Sequence, residues 1–350
     1  MNRREYLDWL RGVAVLIMIE AHTLDSWTRA ADRTRTEYGW AIVVGGFGAP
    51  TFLFLAGISL SLAAGSRLRR SLGFSEVVAR ARRRGWQIFG LAFLFRLQSW
   101  LISGGGWNAL LKVDILNIMG LSILASAVLW GLGRSALQRA LLLALATVAV
   151  AMLTPPIRAT PLLEFLPGPV EWYFRPSPGR TPFTFFPWAG FLLAGTSLGV
   201  WLDAAQSTRQ ERHTNLILAV VGPLMAIGGY AAAFLPPFYR EASFWTSSPT
   251  FFFLRLGILT TALPVAYAWN ALFVGRSPLR EFGVASLFVY WIHVEMVYGV
   301  LTTAIHRRLS FEQALVALGA FSLFLFALVK LKQRLTMGPT ERKSSENTEG

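Results

Sequence analysis

The chain has 350 residues, 54% of them hydrophobic and only 15% charged, with a mean hydropathy of +0.47. A soluble domain normally carries about 25% charged residues, so a soluble globular protein is excluded. The net charge of +14 does not mark a nucleic-acid surface, because the arginines sit in short gaps between apolar runs, and a chain without cysteine has neither a disulfide framework nor a thiolate-zinc site.

Residues 38–66, 115–133, 140–157, 181–202, 214–239 and 256–275 carry no charge. Each run approaches or exceeds the roughly 20 residues that cross a hydrocarbon core of about 30 Å. The pattern predicts an all-α, polytopic integral membrane protein: one domain over 1–337, a bundle of about ten transmembrane helices, and a disordered cytoplasmic tail at 338–350. In chain order the spans are 7–24, 40–64, 85–103, 113–132, 136–154, 183–202, 214–234, 250–274, 282–303 and 311–333.

The first span opens LDWLRGVAVLIMIEAH (7–22). It does not read as a cleaved signal peptide, because its uninterrupted apolar stretch is only 12–19 and Glu20 and His22 follow. After the second span, RLRRSLGFSEVVARARRR (67–84) reads as an amphipathic helix at the membrane surface, or as a basic segment for a phosphate-rich ligand. The segment 155–182 is rich in proline, glycine and aromatics and predicts an irregular loop. Its rings, with Arg175 and Arg180, suit either an interfacial belt or sugar stacking. With ten spans both termini share a side. Twenty arginines and lysines fall on that side, ten on the other, and Arg11, Arg96 and Arg255 fall inside spans. The bias places both termini in the cytoplasm of a multi-pass plasma-membrane protein, most simply a bacterial inner-membrane one.

Charge inside the bilayer costs roughly 2.5–3.5 kcal/mol per group on the insertion scale, which singles out the polar residues of the first span. Arg11 and His22 are eleven residues apart, about three helical turns and about 16 Å of rise, so they share one stripe. Asp8 lies three residues before Arg11, within salt-bridge reach. Asp25, three beyond His22, is placed to hold its ring. Glu20 points the other way and needs a different partner, with Arg96 and Arg255 as candidates.

An arginine, ten residues and a histidine in an "LDxLRGxA" opening resemble the transmembrane acyltransferase superfamily, including acyltransferase-3 proteins. Further segments resemble the heparan-alpha-glucosaminide N-acetyltransferase catalytic-domain family more closely. These are GAPTFLFLAGISLSLA (48–63), LKVDILNIMGLSIL (111–124), FTFFPWAGFLLAGTSLG (183–199) and EFGVASLFVYWIHVEMVYG (281–299). The chain departs from that pattern in having no histidine between 23 and 212 and in carrying Ile118 where the family has an arginine.

The resemblance implies transfer of an acyl group, usually acetyl, from cytoplasmic acetyl-CoA (acyl-CoA) to a sugar or glycan acceptor across the membrane. In that picture His22 is general base or transient acyl acceptor, and Arg11 a positioning cation. Histidine suits the removal of an acceptor proton near neutrality. Asn117, Trp188 and Tyr290 are candidate donors to the developing oxyanion, His293 a second acid or base, and Asp114 a residue that orients a base or marks the interface. The expected partners are the lipid bilayer, acyl-CoA and the glycan acceptor, with no nucleic acid; a homo-oligomer is compatible. The four histidines have no ligand spacing, so no metal is expected. The competing reading is a proton-coupled transporter or flippase, which intramembrane charges and glycine- and proline-rich helices would also suit.

Overall fold

The computed structural model describes residues 4–104, 106–181, 183–273 and 275–336; the expected tail at 338–350 lies outside them. Among the described residues there is no strand, and the chain is an all-α, polytopic membrane protein. In order the helices are α1 (Glu5–Trp27), α2 (Thr36–Gly45), α3 (Gly48–Arg69), α4 (Phe74–Ser103), α5 (Ile115–Leu132), α6 (Ala136–Ala159) and the single turn α7 (Gly168–Glu171). They continue with α8 (Phe185–Ala204), α9 (Thr208–Ala232), α10 (Pro249–Leu272), α11 (Pro278–Val284), α12 (Ser286–Tyr298) and α13 (Phe311–Thr336). Among the described residues, seven stretches are long and apolar enough to cross a membrane: Thr36–Arg69, which joins α2 to α3, and α5, α6, α8, α9, α10 and α13. The expected spans at 7–24 and 85–103 fall within α1 and α4, 23 and 30 residues long, which have the length but carry ionisable residues.

The helices group into two compact units, a larger one over 49–273 and a smaller one made of 4–48 with 275–336. In the larger unit α3 and α8 cross at van der Waals contact. A Cβ on Gly195 would lie 1.9 Å from the Phe54 carbonyl oxygen, and one on Gly57 would lie 2.1 Å from the Leu192 carbonyl oxygen. Lipid supplies no hydrophobic drive between helices, so such small-residue contacts are what hold them together. Ser61 Oγ donates to the Thr196 carbonyl across the same crossing at 2.7 Å.

In the smaller unit α1 packs against α2, α11, α12 and α13. Gly12 sits on the Leu279 carbonyl and Gly283 on the Asp8 carbonyl, so α11 and α1 touch backbone to backbone. Beyond α1 the chain is tied to the approach to α13. Arg29 N–H donates to the Leu309 carbonyl at 2.9 Å and Leu309 N–H to the Trp27 carbonyl at 3.0 Å. Asp32 accepts the Phe311 N–H at 2.8 Å and pairs with Arg29 at 3.1 Å, supplying a carboxylate to the first turn of α13.

Three expectations are corrected. The span 282–303 is not one helix: it breaks at Ala285, between α11 and α12, and ends at extended Gly299 before a 3₁₀ turn at Val300–Thr302. The break lets α11 follow α1 while α12 takes its own direction. The basic segment 67–84 is not a separate interfacial helix, because α3 keeps Arg67 and Arg69 and α4 starts at Phe74. Along α4 the buried Val77, Ala81 and Ile88 leave Arg80, Arg82, Arg83 and Arg84 exposed. Finally, α6 runs through Pro155 and Pro156 to Ala159, although both prolines lack the amide proton a helix uses. Packed membrane helices tolerate such prolines better than water-exposed ones do.

Two outcomes are expected. Gly195→Leu should cost about 1–3 kcal/mol through overpacking and lower the unfolding temperature in detergent, whereas Gly228→Leu, with open space around its Cα, should not; equal melting of the two proteins would contradict the crossing. The Phe311 amide first, and then Arg29, hold the Asp32 carboxyl below the usual carboxylate range, against partial burial that raises it. A depressed folded value gives stability that is complete above the unfolded pKa of about 3.9 and lost as pH falls through the folded one. Melting temperatures from pH 7 to pH 3 should therefore fall less steeply for Asp32→Asn, from a lower start, than for the wild type.

Candidate active site

The smaller unit gathers three of the four histidines. His22, near the end of α1, places Nδ1 2.8 Å from Nε2 of His293 on α12, with the rings stacked 5.1 Å apart and within 7° of parallel. His293 is fully buried. Its Nδ1 lies 2.8 Å from the Val289 carbonyl, one turn back on the same helix. A carbonyl can only accept, so His293 Nδ1 carries a proton, and in the neutral ring Nε2 is then an acceptor. His22 Nδ1 must therefore donate, which leaves the lone pair of neutral His22 on Nε2. The backbone of α12 thus sets the tautomers of both rings.

The surroundings are polar on one side and aromatic on the other. Tyr298 meets the His22 ring edge-on at 5.5 Å and donates its hydroxyl to Asp25 Oδ2 at 3.2 Å. Asp25 also pairs with Arg33 at 3.5 Å. The partner at His22 Nδ1 is thus His293 rather than Asp25, which reaches the ring through Tyr298. Tyr290 lies edge-on to His293 at 5.9 Å. One turn beyond His22, buried Ser26 donates to the Val297 carbonyl at 2.9 Å and contacts His306 Nδ1 at 3.0 Å. Toward the other end of α1, Arg11 donates to Asp8 at 2.7 Å. Asp8 is buried and the Arg11 side chain is 20% exposed.

Glu20 was expected to pair with Arg96 or Arg255. Its Oε2 is buried without a hydrogen-bond partner among the described residues, beside Gly45 of α2. In the larger unit Arg96 pairs with Asp114 at 3.0 Å, and the Arg255 guanidinium lies 4.1 Å from the centre of the Phe251 ring.

The remaining candidates also lie in the larger unit. Asp114 caps α5: its carboxylate accepts the Ile115 N–H at 2.6 Å, while the Asn117 side-chain Oδ1 accepts the Asp114 N–H at 2.9 Å. Asn117 is further engaged by the hydroxyl of Tyr173; burial pushes that phenol up, and the Asn117 hydrogen bond opposes the rise. Asp114 and Asn117 therefore have a capping task that accounts for their burial. Trp188 packs edge-on against Phe183 at 4.9 Å. Arg175 spends its donors on the Arg158 and Thr160 carbonyls and on Glu171, which braces the 155–182 segment, and Arg180 stacks on Trp172 at 5.3 Å.

Two contributors were missed in the sequence. Tyr298 follows His293 by five residues, which is not a same-face spacing on a helix, so its contact with His22 had no local signal. The Val289 carbonyl has no sequence signal, because every residue carries one.

No curated protein matches the chain. The family described as heparan-alpha-glucosaminide N-acetyltransferase, catalytic, matches residues 3–239, more than half of the chain, and the match takes in His22, Arg11 and the capped start of α5. The likeness of the first helix to acyltransferase-3 proteins stays a resemblance. With residues 3–239 matched, His22 and Arg11 among them, the chain belongs to the heparan-alpha-glucosaminide N-acetyltransferase catalytic family.

Proposed function

We propose that the protein transfers an acyl group, acetyl in the simplest case, from acyl-CoA on the cytoplasmic side to a hydroxyl or amine of a sugar or glycan on the other side. The observation that carries this reading is the His22–His293 pair with its lone pair on His22 Nε2. Family membership supports a transferase, and the arginine bias supports cytoplasmic termini in a plasma membrane.

In the proposed step the acceptor's oxygen or nitrogen bonds to the acyl carbon while its proton passes to His22 Nε2. The carbon–sulfur bond breaks, and the coenzyme A thiolate takes the proton from His22 as it leaves. As His22 becomes cationic, its Nδ1–H bond to His293 turns charge-assisted and strengthens. His293 then does for His22 what an orienting third group does in nucleophile–base arrangements. If the acyl group instead rests on Nε2, the same lone pair is the nucleophile. Tyr290 is the proposed donor to the oxyanion, because its ring adjoins His293 in the same unit. Arg11, oriented by Asp8, presents its guanidinium to an anionic part of the donor.

A general base contributes about 10²–10⁴-fold to rate, so His22→Ala should lose at least about a hundredfold in acceptor acylation, measured in membranes and normalised to protein level. His293→Gln, whose amide oxygen can accept the His22 proton, should retain more activity than His293→Phe. Arg11→Ala should be severe and Arg11→Lys partly restored. Near-normal turnover by His22→Ala would sink the reading and favour a transporter. Reporter fusions at residue 336 and within 155–182 should report opposite sides of the membrane; a cytoplasmic signal from 155–182 would overturn the orientation.

A further inference from the structure

A cavity of about 230 Å³ opens in the larger unit where α3, α5, α6 and α8 end or begin. Its walls include Leu68, Trp130 and Val200, and its polar groups are Arg69, Arg139 and Asp203. Arg69 grips both oxygens of Asp203 at 2.8 Å, so those charges neutralise one another. Arg139 is held differently. Its guanidinium lies 4.1 Å from the centre of the Trp130 ring and 5.1 Å from that of Phe74, and its Nε donates to the Gly133 carbonyl at 3.1 Å. Its two terminal nitrogens take no partner among the described residues.

Two glycines make this arrangement fit. A Cβ on Gly133 would lie 2.5 Å from Arg139 Cγ, and one on Gly65 would lie 1.7 Å from Asp203 Oδ2. The site is therefore shaped around both side chains, and it carries one uncompensated positive charge at the mouth of an apolar hollow. A planar guanidinium with two free donors matches a phosphate with two parallel bonds. A net charge of one calls for a monoanion, and the apolar wall calls for a hydrocarbon neighbour. The volume falls below the roughly 300–1,000 Å³ of sites that enclose a whole drug-sized ligand. A phosphodiester headgroup with the start of its chain fits, whereas the whole multiply charged nucleotide of an acyl donor does not. The cavity lies among helix ends next to the exposed arginines at the start of α4, where anionic headgroups collect.

We infer that this cavity binds the headgroup of an anionic phospholipid through Arg139, with Arg69–Asp203 as its fixed neighbour. Native mass spectrometry of the full chain in detergent, titrated with phosphatidylglycerol, phosphatidylcholine or coenzyme A, tests this. The wild type should retain one phosphatidylglycerol in preference to phosphatidylcholine, and coenzyme A should not displace it. Arg139→Gln should weaken retention at least about tenfold, as expected for a charged hydrogen bond, and Leu68→Trp should do so by filling the hollow with every charge left in place. Melting temperatures confirm that each variant is folded; if Arg139→Gln fails to fold, Leu68→Trp alone decides. Unchanged retention in the folded variants would overturn the assignment to a lipid, as would equal binding of phosphatidylcholine. Displacement by coenzyme A would overturn it in favour of a nucleotide phosphate.

Discussion

A main-chain carbonyl can accept a hydrogen bond and never donate one, and at Val289 this asymmetry orders the polar interior of the smaller unit. It fixes the proton on His293 Nδ1, which turns His293 Nε2 into an acceptor and His22 Nδ1 into a donor. The lone pair of His22 ends on Nε2 without any carboxylate in direct charge of the tautomer. That matters in a membrane, where an extra buried charge is costly. Two neutral rings anchored on a backbone carbonyl achieve the same orientation without one.

Everything else in the smaller unit serves to keep α1 and α12 in register. Gly12 and Gly283 let α11 lie directly on α1, and the break at Ala285 redirects α12. The clasp at Asp32, Arg29 and Leu309 holds the far end of α1 to the start of α13. The larger unit uses a different economy. Its glycines bring α3 onto α8, while arginines at helix ends are consumed by carbonyls, carboxylates and aromatic faces. Burial of a polar group is tolerated where each donor finds an acceptor, as all three guanidinium nitrogens of Arg175 do, whereas Nε of Arg96 and of Arg158 is buried without one among the described residues.

The fold class was legible because charge-free runs of span length have one physical meaning, and Arg11 with Asp8 was legible from helical spacing alone. The meeting of His22 with His293 was not. Their separation of 271 residues leaves no periodicity to read, and the break at Ala285 that separates α12 from α11 falls inside a charge-free apolar stretch. Asp114 and Asn117 show what spacing alone does not reveal: polar residues at a span boundary resemble chemistry, and here a capping box also gives them a local task. The two prolines of α6 read as a helix stop because sequence rules are calibrated on water-exposed helices, whereas a packed membrane helix can carry them.

The central claim is that neutral His22 presents its lone pair at Nε2. Nitrogen NMR of the purified protein labelled at histidine reports it directly, since protonated and lone-pair ring nitrogens resonate far apart and His22→Gln and His293→Gln spectra assign the signals. The account predicts that in their neutral forms both His22 and His293 carry the proton on Nδ1, and that His293→Phe frees His22 to mix tautomers. A His22 protonated at Nε2 in the wild type would contradict it, because that ring would have no lone pair at Nε2 to take an acceptor's proton.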